Sequence, residues 1–339
     1  MKLSIEKEIS RKDVVFSMAR RRGSRRIVFG SSDGKLYDVD VATEKPEPKP
    51  VDAHASWVMG VAIAGERLVS GSYDRELVWR DAASLAETDR KRAHDRWIRG
   101  VVASPDGKLV ASVADDMVCR LWSAESGELR AELRGHRERT PNHFPSMLFA
   151  CAFSADGSLL ATADKVGRVV VWDVAKGREI GSVESPGMYT WDPRARIHSI
   201  GGARSVAFSP DGRLVAVGGI GKIGNVDHLG GKARIELFDW KKGESVGVYE
   251  DDKFKGLVEH LVFEPTEGRW LLAGGGDHNG FVTVIDPETR KPLLQAKAPM
   301  HVHELDLEVA ERDKADGPAA IRVYGVGHGR VTVWRLAVS

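Results

Sequence analysis

The sequence predicts an all-β fold in which a four-stranded antiparallel unit is repeated seven times. Three observations predict it: apolar runs and polar turns recur in a fixed order, the third run of the pattern can be counted seven times, and glycine is abundant. Glycine accounts for 36 of the 339 residues, above the usual share of about 7%, whereas proline accounts for only 14. That composition is typical of a chain with many tight turns.

The start of a unit is recognised from the pattern His-x-x-Trp-aliphatic, which occurs at His54 and again 40 residues later at His94. In the second copy the turn 104–107, Ser-Pro-Asp-Gly, separates two apolar runs, and similar turns end at Gly157 and Gly212. A four-residue polar turn that ends in glycine predicts a β-hairpin, because glycine adopts positive φ without steric cost. The first two strands of a unit are therefore predicted on either side of this turn.

A third apolar run follows in each unit and ends in a polar residue. The seven copies are 35–40, 76–81, 118–123, 169–173, 235–239, 282–286 and 331–335. Successive copies are 41 to 66 residues apart, whereas a repeat of four strands needs about 40–45 residues. The excess length predicts insertions in the loops of some units.

Short motifs at the ends of these units resemble those of a known family. Gly135-His136 lies at the start of a unit, as Ala53-His54 and Ala93-His94 do, and Trp172-Asp173 lies at the end of one. With these motifs the chain resembles the WD-repeat β-propeller family over essentially its whole length. The resemblance implies a seven-bladed β-propeller with four-stranded antiparallel blades, forming a single domain over residues 1–339.

The resemblance also implies how the ring closes. Residues 1–10 precede the first complete repeat, and the last repeat ends after its third strand. In the family such an N-terminal segment supplies the missing outer strand of the last blade. The closed ring then has no open sheet edge at its termini.

A buried hydrogen-bond chain within a blade is a further implication of the resemblance. In the third repeat this structural tetrad consists of His94, Ser112, Asp116 and Trp122. Two other repeats keep part of the pattern, with Arg80 in place of the Trp in the second and Val166 in place of the Asp in the fourth. The histidines of these repeats are therefore interpreted as structural, because each buried donor then has a partner.

The extra length falls in three insertions, 137–147, 184–203 and 219–232. We expect all three on one sector of the top face, the face on which the loops between blades and the second hairpin of each blade open. Long loops on a rigid scaffold often carry function. The sequence therefore directs the search for a binding site to this sector.

Aromatic and arginine side chains occur in these insertions and at the first strands of the repeats, and these residue types are enriched at interface hot spots. The predicted partner-binding residues of the top face are Trp57, Trp97, Arg99, Phe149, Tyr189, Trp191, Arg194, Arg196, His198 and Arg204. In the alternative interpretation, Trp57 and Trp97 cover the upper end of the ring and Trp191 anchors its own loop.

Sequence signals for catalysis are absent or fail on their context. Residues 219–224 match Gly-x-Gly-x-x-Gly, but the amphipathic helix that a dinucleotide site requires does not follow. No Cys-x-x-Cys-His motif occurs, and two cysteines, Cys119 and Cys151, cannot form a disulfide framework. We therefore predict no catalytic residue.

Histidines leave a metal site open as an alternative. His301 and His303 can present both rings on one side of a strand, and imidazole together with carboxylate suits zinc or similar ions. The donors would come from different loops without a diagnostic spacing, so the sequence predicts neither a metal nor a cofactor. The histidines and acids expected on the top face are His143, His198, His228, His278, His301, His303, His328, Asp227 and Asp277.

The predicted function is a non-catalytic scaffold that binds a partner protein or peptide on its top face, with membership of a larger complex left open. The alternative is a propeller enzyme or a protein that binds a small ligand or metal through top-loop His, Asp and Arg residues. A net charge of +1, from 50 basic and 49 acidic residues, argues against nucleic acid as a partner. The charged N-terminus lacks a signal-like apolar stretch, and no apolar window of about 18 residues occurs, so we expect no membrane contact and a cytoplasmic location.

Overall fold

The computed structural model describes residues 1–21, 23–195, 199–224, 230–277, 279–309 and 320–338. Within these ranges nearly all regular structure is β-strand, and the one helical element is a 3-10 turn at Pro186–Met188. No helix in this part of the chain has the length and hydropathy needed to cross a lipid bilayer.

The strands follow in chain order. The first fourteen are β1 (Lys2–Arg20), β2 (Arg26–Ser31), β3 (Lys35–Asp40), β4 (Lys49–Asp52), β5 (Val58–Ala64), β6 (Arg67–Ser72), β7 (Glu76–Asp81), β8 (Glu87–Arg92), β9 (Ile98–Ala103), β10 (Leu109–Ala114), β11 (Cys119–Ser123), β12 (Leu129–Leu133), β13 (Leu148–Phe153) and β14 (Leu159–Asp164). The others are β15 (Arg168–Asp173), β16 (Arg178–Glu184), β17 (Tyr189–Trp191), β18 (Ser199–Gly201), β19 (Ser205–Phe208), β20 (Leu214–Ile220), β21 (Lys232–Asp239), β22 (Glu244–Lys255), β23 (Leu257–Phe263), β24 (Leu271–Gly276), β25 (Gly280–Ile285), β26 (Pro292–Ala298), β27 (Val302–Val309) and β28 (Ala320–Ala337).

Five sheets each consist of four consecutive antiparallel strands: β5–β8, β9–β12, β13–β16, β19–β22 and β23–β26. The polar turns predicted between first and second strands are present, with Gly107, Gly157 and Gly212 at φ 70°, 71° and 67°. The prediction of an all-β fold built from four-stranded antiparallel units is confirmed.

The remaining large sheet has six strands in the order β27-β28-β1-β2-β3-β4. Its two long strands pair with each other, from Lys2 opposite Ala337 to Val14 opposite His328. The N-terminal residues are thus hydrogen-bonded to the last strand of the chain. The described residues form six sheets of four or more strands, so this division does not confirm the predicted count of seven blades.

The innermost strands of the sheets contact one another in a closed cycle. The cycle runs β1, β5, β9, β13, β19, β23, β27 and back to β1. Sheets arranged side by side around such a ring form a β-propeller, with the two ends of the chain meeting in one sheet.

The hydrophobic core lies between neighbouring sheets. One cluster joins Leu77 and Trp79 of β7 to Ile98 and Val101 of β9, and both faces of a third strand are covered in this way. In β15 the four residues between Arg168 and Asp173 are all buried. This double burial explains why third strands read as continuous apolar runs in the sequence, since a strand covered on one face only would alternate.

Candidate functional site

The innermost strands carry a β-bulge at equivalent positions. The pairing with the second strand shifts there, and the residues passed over are Phe16, Met59, Arg99, Phe149, Glu259 and His303. A bulge leaves one residue unpaired and re-aims its side chain. All six line a central cavity of about 440 Å³, and Arg204, just before β19, lines it too. These seven residues are called the cavity ring below.

Aromatic side chains extend from the cavity ring onto the top face. Trp57 stacks on Phe16 and on Tyr73, with ring centroids 5.2 and 5.4 Å apart, and Tyr73 stacks on Trp97 at 4.6 Å. Trp57 is 46% exposed and Trp97 is 49% exposed. These four residues, called the aromatic row, therefore present a contiguous apolar surface to solvent.

Arg99 joins the aromatic row to Phe149. Its guanidinium donates hydrogen bonds to both carboxylate oxygens of Asp115, at 2.8 and 2.7 Å, and to the Tyr73 hydroxyl. Its Cζ atom lies 5.2 Å from the Phe149 ring centroid. The side chain is only 11% exposed, so Arg99 supports the row from beneath and presents little charge to a partner.

Arg204 brings positive charge to the cavity ring. Its Cζ atom lies 3.9 Å from the Phe149 ring centroid, and among the described residues its hydrogen bonds go to the carbonyl oxygens of Gly201 and Ala203, at 2.8 and 3.0 Å. Burial lowers the pKa of Arg204, and burial likewise lowers the pKa of nearby Lys165. The charge of Glu259 opposes this lowering of the Arg204 pKa, but the guanidinium has no hydrogen bond to a carboxylate among the described residues. A buried guanidinium in this position is costly, so this side of the cavity suits an acidic group.

Histidines border the cavity ring where β23 and β27 meet. The ring of His301 stacks on those of His303 and His328 at centroid distances of 4.7 and 4.8 Å, and the rings of His303 and His328 are tilted to each other at 4.9 Å. Glu259 Oε1 lies 3.4 Å from His301 Nε2. One donor atom from each of Glu259, His301 and His303 lies within 4.8 Å of the other two.

The charges of this histidine cluster follow from burial and contact. Burial by itself would raise the pKa of Glu259, but contact with His301 lowers it to about 2. Burial lowers the pKa of His303 to about 3. Burial opposes protonation of His301 as well, yet Glu259 raises the pKa of His301 above its ordinary value. At neutral pH the cluster therefore holds a carboxylate beside a neutral imidazole.

The four residues of the predicted tetrad lie in one hydrogen-bonded chain. Trp122 Nε1 donates to Ser112 Oγ at 2.9 Å, and that oxygen lies 2.7 Å from His94 Nε2. The other ring nitrogen, Nδ1, lies 3.0 Å from Asp116. Burial lowers the pKa of His94. Burial alone would raise the pKa of Asp116, but His94 and Arg120 hold it well below its usual range.

The second repeat has part of the same chain. His54 lies 3.0 Å from Asp74 through Nδ1 and 2.9 Å from Ser70 through Nε2. Arg80, at the position of the missing Trp, donates instead to the carbonyl oxygens of Asp52 and Leu85. The arginine thus satisfies backbone acceptors at this end of the blade.

In the fourth repeat the structure corrects the sequence analysis, which took Val166 for the position of the acid. Asp164, two residues earlier, lies 2.9 Å from His136 Nδ1. Thr162 Oγ1 lies 2.8 Å from His136 Nε2 and accepts a hydrogen bond from Trp172 at 2.9 Å. The Asp164 carboxylate also accepts from the backbone N–H of Val166. The acid that contacts His136 is therefore Asp164. Counting by the spacing of the third repeat had pointed to position 166, because that count does not allow for the different turn.

The remaining predicted partner-binding residues belong to the insertion 184–203. Trp191 is 46% exposed and Arg194 is exposed, whereas Tyr189 is half-buried. Trp191 and Arg194 do not line the central cavity. Arg196 and His198 lie outside the described residues, as do His228, His278 and Asp227.

The insertion 184–203 packs against the start of the insertion 219–232. Ile223 N donates to Thr190 Oγ1 at 3.1 Å, and Ile200 packs on a small cluster that contains Ile220 and Ile223. β17 and β18 pair within the insertion 184–203. Its strand pairing and this contact hold the described part of the insertion against the fifth repeat.

The sequence analysis named Arg99, Phe149 and Arg204 as partner-binding residues, but it did not recognise the other members of the cavity ring as equivalent positions. Phe16, Met59, Glu259 and His303 occupy the same bulged position in their sheets. The missed signal was positional, because each directly follows a buried residue of an innermost strand. Tyr73 was also missed, since it lies in a turn and reaches the row only through folding.

Comparison with known families gives a match to the model described as WD domain, G-beta repeat, at residues 87–123 and 127–173. The first matched segment contains β8 to β11, and the second contains β12 to β15. Each therefore joins the outer strand of one sheet to the first three strands of the next.

Several curated proteins are similar to this chain. WD repeat-containing protein VIP3 of Arabidopsis thaliana is 27% identical over 223 residues, covering 65% of this chain and 62% of the relative. Eukaryotic translation initiation factor 3 subunit I of Candida albicans is 25% identical over 222 residues, covering 64% and 56%. WD repeat and SOCS box-containing protein 1 of Danio rerio is 35% identical over 94 residues, covering 27% and 19%. The chain thus matches less than two thirds of the length of each of these relatives.

Proposed function

The chain belongs to the WD-repeat family of β-propellers, and on that premise we propose that it is a non-catalytic scaffold that binds a partner protein or peptide on its top face. The aromatic row carries this proposal. Exposed contiguous apolar surface on a soluble fold is typical of an interaction site, and Trp and Tyr are enriched at interface hot spots.

The cavity beside the row adds a chemical preference. Arg204 faces it with hydrogen bonds only to carbonyl oxygens among the described residues. A partner that places an acidic side chain there would offset the cost of the buried guanidinium. The proposed partner therefore lies across Trp57 and Trp97 and directs an acidic group towards Arg204.

The proposal includes seven blades in a single domain over 1–339. The register supports this count, because β1 pairs with β28 up to Val14 and with β2 from Val15. In the same way β28 pairs with β27 up to Gly327 and with β1 from His328. On this count the six-stranded sheet consists of two four-stranded blades that share continuous strands, and residues 1–10 form the outer strand of the last blade.

The cysteine that lines the cavity supports a non-catalytic role. Cys151 lines it, but burial raises the pKa of this thiol to about 12, which leaves it protonated and a poor nucleophile. One relative is named as a subunit of translation initiation factor 3. We extend this to the proposal that the chain works in the cytoplasm as a subunit of a larger complex.

The test compares capture by the wild-type chain with capture by a Trp57→Ala/Trp97→Ala variant. Both chains are immobilised, exposed to lysate from the source organism, and the bound proteins are quantified by mass spectrometry. The wild type is expected to retain a stoichiometric partner, and the variant to lose it at least about 30-fold, since a hot-spot residue contributes about 2 kcal/mol or more.

A matched control is Leu129→Ala/Ile180→Ala, which removes similarly exposed apolar side chains from the outer strands β12 and β16. This control is expected to bind the partner as the wild type does. Equal capture by all three chains, or no partner on the wild type, contradicts the proposal. Arg99 is left intact, because its ion pair with Asp115 supports the row.

A small molecule in the cavity is the second candidate function. The cavity volume of about 440 Å³ lies in the range of ligand pockets, about 300–1,000 Å³. An acidic ligand would be held by Arg204 and would not need the exposed Trp97. Mass spectrometry of the small molecules released from the purified chain tests this candidate. A small acidic molecule retained by the wild type and by the tryptophan variant, but lost in Arg204→Ala, distinguishes it from the scaffold.

A further inference from the structure

We propose that Glu259, His301 and His303 form a binding site for a divalent first-row transition-metal ion such as Zn²⁺. The site lies at the edge of the cavity ring, between β23 and β27. It goes beyond the scaffold function, because none of its three residues belongs to the aromatic row.

The donor atoms are close enough to converge on one ion. One oxygen of Glu259 and one ring nitrogen each of His301 and His303 all lie within 4.8 Å of one another. Ligands at about 2.0–2.2 Å from Zn²⁺ are about 3.4 Å apart in a tetrahedral site. Glu259 Oε1 and His301 Nε2 are already 3.4 Å apart, which is the separation that a tetrahedral site requires.

Both histidines offer a nitrogen that the protein leaves unsatisfied. The Nε2 atoms of His301 and His303 are buried and have no hydrogen-bond partner among the described residues. His301 Nδ1 lies 3.1 Å from the carbonyl oxygen of Asp277. A carbonyl can only accept, so Nδ1 carries a proton, which is the usual second contact of a metal-bound histidine. Nε2 faces Glu259, and a metal ion would bind there in place of a proton.

The other histidines of the fold show the contrast. His54, Asp74 and Glu76 also lie close enough together to hold an ion, but both ring nitrogens of His54 are used, by Asp74 and Ser70. His94 and His136 are satisfied in the same way. Unused nitrogens beside a carboxylate therefore distinguish the cluster at β27 from the structural histidines.

The donor set and the scaffold both suit a metal. Two imidazoles and one carboxylate are typical ligands of Zn²⁺ and neighbouring ions, and three protein ligands leave a position for water or a bound group. Glu259 and His303 are bulged residues of adjacent sheets, so an ion would also link β23 to β27.

The experiment measures Zn²⁺ binding to the full chain after treatment with a chelator. Isothermal titration with Zn²⁺ alone is expected to give about one ion per chain, and Zn²⁺ is expected to raise the melting temperature. Glu259→Gln and His303→Ala are each expected to lower the Zn²⁺ affinity at least about 100-fold, since even loss of an outer-shell partner typically costs about 10–100-fold. Replacement by Co²⁺ reports coordination number through its visible absorption.

The matched control is His143→Ala, which removes an exposed histidine far along the chain from the site. It is expected to keep wild-type affinity. Glu259→Gln preserves side-chain size, so its melting temperature without Zn²⁺ separates lost binding from lost folding. No Zn²⁺ binding by the wild type, or binding that His303→Ala leaves unchanged, overturns the proposal, whereas the capture experiment with Trp57 and Trp97 is independent of this result.

Discussion

The role of a histidine in this molecule depends on whether its two ring nitrogens have partners. His94 has both, since Ser112 and Asp116 lie on either side of its ring. His303 has an unpartnered buried Nε2 among the described residues. The same residue type is therefore a structural link in the third repeat and a candidate ligand at the cavity.

The buried His94 predicts a pH dependence of stability. Burial lowers its pKa in the folded chain, so below the ordinary value of about 6.5 the unfolded chain binds a proton that the folded chain does not. Stability is therefore present above about pH 6.5 and is lost as the pH falls, by at most about 1.4 kcal/mol per pH unit for this group. The free energy of unfolding, measured in denaturant between pH 5 and 7.5, is expected to fall less steeply in His94→Gln.

The control for this measurement is His143→Gln, which changes an exposed histidine. It is expected to keep the wild-type slope. Asp116 contributes in the same direction but at lower pH, because its pKa is depressed by His94 and Arg120, although burial alone would raise it. A slope in His94→Gln equal to that of the wild type would show that this histidine does not titrate differently on unfolding.

At the scale of elements, the innermost strands combine two features that the repeat pattern conceals. Each of six carries a bulge that turns one side chain to the cavity. Small residues beside the bulge allow adjacent sheets to approach closely. Among the described residues thirteen glycines have positive φ, twelve of them outside the strands, but others, including Gly60 and Gly71, lie within strands. The glycine abundance that predicted turns thus also reflects contact between sheets.

Gly60 provides a test of this close approach. A Cβ atom at this position would lie 2.5 Å from the backbone nitrogen of Val101 in the next innermost strand. Gly60→Ala is therefore expected to lower the free energy of unfolding by about 2 kcal/mol or more, because backbone cannot move aside as a side chain can. Gly224→Ala is the control, since a Cβ there would meet nothing within 4 Å. Equal stability of the two variants in denaturant would contradict the proposed contact.

At the scale of the whole molecule, the two ends of the chain stabilise each other. Residues 2–10 pair with 330–337, and Ile9 contributes to a buried cluster with Val331 and Val333. Ion pairs between Glu6 and Arg322 and between Glu8 and Arg330 add to this contact. Strand pairing, side-chain packing and ion pairs between the first and last strands therefore close the ring.

Deletion of residues 1–10 is expected to lower the melting temperature by about 5 °C or more. The deletion leaves β28 with an unpaired edge and exposes the cluster around Ile9. Two substitutions in the same strand serve as controls: Ile9→Ala, at 8% exposure, is expected to destabilise by about 2–4 kcal/mol, and Ile5→Ala, at 53%, by about 0.5 kcal/mol or less. A melting temperature unchanged by the deletion would show that the N-terminal pairing contributes nothing to the fold.

The sequence by itself determined the strands and turns of this protein. The third runs at 35–40 and 76–81 coincide with β3 and β7, because a strand buried on both faces is mostly apolar. The turns that end at Gly107, Gly157 and Gly212 were equally evident, since only glycine adopts positive φ without cost.

Only the tertiary structure decided which side chains meet. Phe16 lies in β1, Trp57 and Trp97 lie directly before β5 and β9, and Tyr73 lies in the turn after β6. Glu259 meets His303 across two sheets. Asp164 reaches His136 through turn geometry, at a spacing that differs from the other repeats. Local sequence determines which strand a residue occupies, whereas bulges and the packing of sheets around the ring determine its neighbours, and binding depends on those neighbours.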